Sequence, residues 1–62
     1  MRVWLIRIRK QRERTQKYIA CKASISRSMY AMIESGDRNP SVPIAKNIAK
    51  VLNFEWTLFF EE

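Results

Sequence analysis

Thr15–Glu34 reads TQKYIACKASISRSMYAMIE, and its spacing predicts two short helices that meet at a tight turn. Thr15 suits an N-cap, because its hydroxyl can accept from the amides of the next turn. Ile19, Ala20 and Ala23 then recur on one face of the first helix of the pair. Ser24-Ile25 makes a short break, with Ile25 as a pin between the helices, and Ser26 is a second cap. Tyr30 and Ile33 point inward from the second helix, leaving Arg27, Ser28, Ala31 and Met32 on its outer face.

The flanking sequence extends the helical reading in both directions. Upstream, Leu5 and Ile8 with Trp4 form the apolar face of a helix whose remainder carries Arg2, Arg7, Arg9, Lys10 and Arg12. Downstream, Ser35-Gly36-Asp37-Arg38-Asn39-Pro40 is a stop, since Gly36 can take the left-handed conformation that ends a helix. Ser41 caps a fourth helix, and Pro43 is tolerated in its first turn, where amides lack internal partners. Val42, Ala45, Ile48, Ala49 and Leu52 recur at helical spacing and are expected in the core. Asn53 ends that helix, and Glu55 to Phe60 reads as a short fifth. The expected architecture is all-α: a compact five-helix domain spanning residues 1–62, with no repeat, linker or low-complexity segment.

At 62 residues the chain lies near the lower limit for folding without metal or disulfide. Cys21 is the single cysteine and histidine is absent, so an internal disulfide and a zinc site are excluded and a reducing, cytoplasmic setting is expected. The opening MRVWLIRIRK has the look of a signal peptide, but Arg7 and Arg9 interrupt its apolar part and no cleavage-like segment follows. No catalytic constellation, carboxylate pair or glycine-rich phosphate loop is present, so neither an enzyme nor a bound cofactor is expected.

The net charge of +6 is placed unevenly. Residues 1–27 hold nine of the twelve Lys and Arg against Glu13 alone, whereas residues 28–62 carry three bases and five acids. One half therefore attracts polyanions. An anionic membrane surface competes poorly, because the basic first helix has too narrow an apolar face. Single-stranded nucleic acid lacks an aromatic platform among the basic residues. Duplex DNA fits best, since a capped helix pair of this length is a groove-reading device.

On that reading Arg27 can donate to guanine O6 and N7, Ser28 can serve a base or phosphate, and Met32 suits a thymine methyl. Small Ala31 lets the backbone approach the bases. Gln16 and Lys17 open the first helix of the pair, where they can hold a backbone phosphate. The plainer readings are Arg27 on phosphate or in solvent, Met32 as a bystander, Cys21 as a small unreactive side chain and the basic first helix as a solvated face.

Over roughly residues 5–60 the chain resembles the Cro and phage-repressor (XRE) family of helix-turn-helix domains. The matching features are Leu5, Ile8 and Arg9, Thr15-Gln16, Ile19-Ala20, Ile25-Ser26-Arg27-Ser28, Ile33-Glu34, Gly36, Asn39-Pro40-Ser41, and Ile48-Ala49 with Leu52. Each is weak alone; their joint order and spacing is specific. The resemblance implies a helix-turn-helix at about 15–34 whose second helix reads the major groove through Arg27, Ser28 and Met32. It implies phosphate contacts from Gln16, and from Arg38 and Asn39 in the following loop. It also implies a structural pair between Arg9 and Glu34. Three residues depart from the family pattern: Ser24 replaces the usual turn glycine, Glu13 replaces another common glycine, and Arg14 stands where an apolar residue would staple onto Ile19.

The tail NFEWTLFFEE carries more apolar surface than one short helix can bury. Phe54, Trp56 and Phe59 fit a closing core, which leaves Leu58 and Phe60 for an interface within about residues 54–62. A two-fold homodimer there would set two reading helices about 34 Å apart, one DNA turn, and match a palindrome. The sequence thus predicts a sequence-specific double-stranded DNA-binding regulator, most simply a repressor of phage or mobile-element type acting as a homodimer. The alternative is an antitoxin-like module whose tail captures a protein partner such as a toxin.

Overall fold

The computed structural model describes residues 1–61; Glu62, the last residue of the expected interface segment, lies outside it. Four α-helices and one 3-10 helix account for the regular structure among the described residues. They are α1 (Val3–Gln11), α2 (Gln16–Lys22), α3 (Arg27–Ser35) and α4 (Val42–Leu52), followed by a 3-10 turn over Trp56–Phe60.

Three helices begin as their cap residues dictate. The hydroxyls of Thr15, Ser26 and Ser41 accept from the backbone N–H of Tyr18 at 3.0 Å, Met29 at 3.0 Å and Ile44 at 3.4 Å. Helix α3 ends on Gly36 at φ 91, and α4 ends on Asn53 at φ 60, both left-handed. Ser24, after α2, also sits at φ 61, and Glu13, after α1, at φ 55. The chain thus adopts glycine-type turns with L-residues at the two positions where the sequence lacks glycine.

Leu5, Ile19, Tyr30, Ile33, Ala45, Ile48 and Leu52 are fully buried, so every α-helix contributes to one core. Trp4 closes one end, meeting the rings of Phe54 and Phe59 edge-on with centroids 5.4 and 5.1 Å away. Val42, expected in this core, is instead 44% exposed. It occupies the first position of α4, beyond the packed turns, and Ile44 takes the inward place. The expected fifth helix is the 3-10 turn: Phe59 is buried, Phe54 and Trp56 are half-buried against the core, and five residues are too few for a stable α-helix.

The arginines of the N-terminal segment are not a uniformly solvated face. Arg2 donates through Nη1 to the carbonyls of Ile33 at 2.5 Å and Arg38 at 3.0 Å, closing the end of α3. Arg12 donates through Nε to the Leu52 carbonyl at 3.0 Å and through Nη2 to that of Asn53 at 3.5 Å, closing the end of α4. Cationic donors at helix C-termini satisfy orphan carbonyls and oppose the negative end of the dipole. Arg9 turns to Glu34 of α3.

An L-residue in the left-handed region costs about 1–2 kcal/mol, partly offset by the greater unfolded-state freedom of glycine. Ser24→Gly should therefore raise stability by about 1 kcal/mol, read as a shift of the urea midpoint at unchanged slope.

Candidate nucleic-acid interface

The α2–α3 turn joins the end of α2 to the start of α3, and the two helices cross so that Gln16, at the start of α2, meets Glu34 near the end of α3. Ile25 is half-buried against the core, and its N–H donates to the Ala20 carbonyl at 3.0 Å, so the turn is pinned from within. Arg27 and Ser28 are consequently exposed on the first turn of α3. Ala31 and Met32, further along, are only half-exposed, while Tyr30, Ile33 and Glu34 form the buried side.

Glu34 fixes this arrangement. Its carboxylate accepts from Arg9 Nε at 2.6 Å and Nη2 at 3.4 Å, and from Gln16 Nε2 at 3.1 Å, so α1, α2 and α3 meet on one group. Arg9 also donates from Nη1 to the Arg14 carbonyl at 2.9 Å, holding the loop that leads into α2. Burial would push the Glu34 carboxyl up, but the hydrogen bonds from Arg9 and Gln16, the nearby Tyr30 hydroxyl and the Arg9 charge outweigh it and hold it below the usual range. The same pairing raises the Arg9 guanidinium. Burial raises the Tyr30 hydroxyl strongly, and although it lies beside Glu34 it makes no hydrogen bond of acceptable geometry among the described residues.

An open concavity beside this cluster is lined by Arg9, Arg14, Thr15, Gln16, Lys17 and Arg27. Gln16, Lys17 and Arg27, which the sequence singled out, are thereby brought together; Gln16 is tethered to Glu34 while Lys17 is exposed. Arg14 was not singled out as a contact residue. Its guanidinium stacks 4.5 Å over the Tyr18 ring, replacing the missing apolar staple with a cation–π contact while keeping its charge at the rim. Arg38 and Asn39 lie apart from this concavity, beyond the far end of α3, and both are exposed. Asn39 Oδ1 accepts from Arg2 Nη2 at 2.5 Å. Arg2 falls before the stretch that carries the family resemblance, so its role had no sequence signal.

In the tail, Phe60 is 48% exposed, its ring set edge-on to Trp56 with centroids 6.0 Å apart. Leu58 is half-buried. Lys46 lies 5.1 Å over the Trp56 ring.

Residues 5–59 match the helix-turn-helix family. The chain belongs to the XRE-type helix-turn-helix family of DNA-binding regulators. This helix-turn-helix protein is similar to a Bacillus subtilis (strain 168) protein described as an uncharacterized HTH-type transcriptional regulator, YqaF. The two are 47% identical over 62 residues, which cover 100% of this chain and 82% of the relative. No solved structure matches. Among the described residues no helix is long and apolar enough to cross a membrane, and no three His, Cys, Asp or Glu side chains group as metal ligands would.

For a helix-turn-helix domain built on a buried pair, acid is the natural stress. Glu34 is held below its unfolded value, so its contribution to stability is complete above the ordinary carboxylate range and is lost as pH falls through the folded value. Urea midpoints measured from neutral pH down to about pH 3 should fall on the acid side, and Glu34→Gln should flatten that dependence. Glu34→Ala, which strands the 15% exposed Arg9 side chain, should cost about 3 kcal/mol at neutral pH.

Proposed function

We propose that this regulator is a repressor that occupies a palindromic operator as a homodimer, with α3 in the major groove. The observation that carries the proposal is the exposure of Arg27 and Ser28 on the first turn of α3, beside the basic rim of Arg14 and Lys17 and the amide of Gln16. In this reading Arg27, Ser28 and Met32 face base edges, while Gln16, Lys17, Arg38 and Asn39 hold backbone phosphates. The curated relative's description as a transcriptional regulator supports the same role.

Two-fold association is supported by Phe60, a large apolar side chain half in solvent at the end of the chain's closing turn. The same residue supports a second reading, in which the tail receives a protein partner in the manner of an antitoxin. Sedimentation of the purified protein separates them: a dimer that becomes monomeric in Phe60→Ser supports the first, and a monomer that dimerises only with a partner supports the second.

Selection of bound duplexes from a random pool should enrich an inverted repeat with half-sites about one helical turn apart. Arg27→Ala should relax base preference at one position of each half-site, at a cost of about 1–3 kcal/mol. Lys17→Ala should weaken binding to all duplexes alike and lower the salt slope by about one unit per site. Recovery of no preferred sequence by the wild-type protein would refute the proposal.

A further inference from the structure

Arg2 makes more long-range hydrogen bonds than any basic residue proposed to contact DNA, yet the role given to it above is only to close the end of α3. Its backbone N–H donates to the Glu34 carbonyl at 2.7 Å, and its guanidinium to the Ile33 and Arg38 carbonyls. The remaining arm donates from Nη2 to Asn39 Oδ1 at 2.5 Å. The guanidinium carbon lies 5.7 Å from the centroid of the Phe59 ring, so the group is held from below as well as by its acceptors.

A guanidinium has donors only. The amide of Asn39 must therefore turn its oxygen toward Arg2, which points its two N–H donors the other way. Among the described residues those donors have no hydrogen-bond partner, and Asn39 is exposed. The backbone of the same loop is held at the Arg38 carbonyl, and the Arg38 N–H donates to Met32 at 3.2 Å. The loop is thus held by its own backbone and by Arg2, and the polarity of its Asn39 amide is set by that one side chain thirty-seven residues away in sequence.

We infer that Arg2 is a positioning residue for DNA binding: it clamps the loop after α3 so that the Asn39 amide presents its N–H donors to a backbone phosphate. The inference rests on the DNA-binding reading above and adds to it a residue that need not touch DNA. An amide free to rotate must lose that freedom to turn its N–H donors to the phosphate; the clamp has fixed the orientation beforehand.

The test is a set of variants measured for duplex affinity across a salt series, with thermal melting in parallel. Asn39→Asp keeps the acceptor for Arg2 but removes the donors and adds a charge that phosphate repels, so it should melt no lower than wild type while binding every duplex about tenfold more weakly. Asn39→Ala, which removes the donors without adding charge, should also weaken binding, at an unchanged salt slope because no cation is lost. Arg2→Lys keeps the charge but not the fork, and should weaken binding at temperatures where it remains fully folded. Most of the Arg2→Lys loss should disappear in an Asn39→Ala background, the remainder reflecting the hold of Arg2 on the Arg38 carbonyl. Unchanged affinity in Asn39→Asp, or simple addition of the Arg2→Lys and Asn39→Ala losses, would overturn the inference. Failure of the wild-type protein to bind duplex DNA would instead remove the DNA-binding reading itself, so the two failures are distinct.

Discussion

The fold turns on a single buried carboxylate. Glu34 is 3% exposed in a chain with twice as many bases as acids, and α1, α2 and α3 each send or hold a group on it. Burying a carboxylate alone would be prohibitive; Arg9 and Gln16 make it tolerable by supplying charge and donors. The energetic return in net stability is small, because desolvation consumes much of the attraction. What the cluster provides is placement: α3 cannot rotate or slide without leaving Glu34 unpaired, so the residues on its outer face keep a fixed relation to the start of α2.

The basic residues divide their work in a way that net charge conceals. Arg2, Arg9 and Arg12 are spent on carbonyls and a carboxylate within the domain. Arg14, Lys17 and Arg27 remain around one concavity. The long-range field still sums all of them, so steering of a polyanion is undiminished. Side-chain donors not already engaged within the domain include those of the second set, together with Arg38 on the loop after α3. Guanidinium suits the internal role better than ammonium, because its planar fork reaches two or three acceptors at once.

Much of this was legible in the sequence where local chemistry decides it. Thr15, Ser26 and Ser41 announce helix starts because a hydroxyl accepting an amide is a contact within one turn. The left-handed turns at Ser24 and Glu13 were legible as departures from an expected glycine. Val42 misled because helical spacing describes a face, whereas its burial depends on how far that face is covered at the helix end. The tail misled in kind, since apolar content does not separate an α-turn from a 3-10 turn of five residues. Arg2 and Arg12 were invisible as latches: their acceptors are backbone carbonyls, which carry no sequence signature, and lie thirty or more residues away. Within the candidate site, Gln16, Lys17 and Arg27 were readable from position, while the tether of Gln16 depends on how α2 crosses α3 and the stack of Arg14 on Tyr18 on the path of the loop before α2.

The helix ends closed by Arg2 and Arg12 have a consequence for the order in which the chain acquires structure. Helices α3 and α4 can nucleate from their own caps, but the carbonyls at their ends gain the guanidinium donors of Arg2 and Arg12 only when α1 docks. Arg12 can therefore engage the Leu52 and Asn53 carbonyls only once α1 is docked against the end of α4. Contacts of long sequence separation thus couple α1 to α3 and α4, which favours their forming together over helix formation one by one.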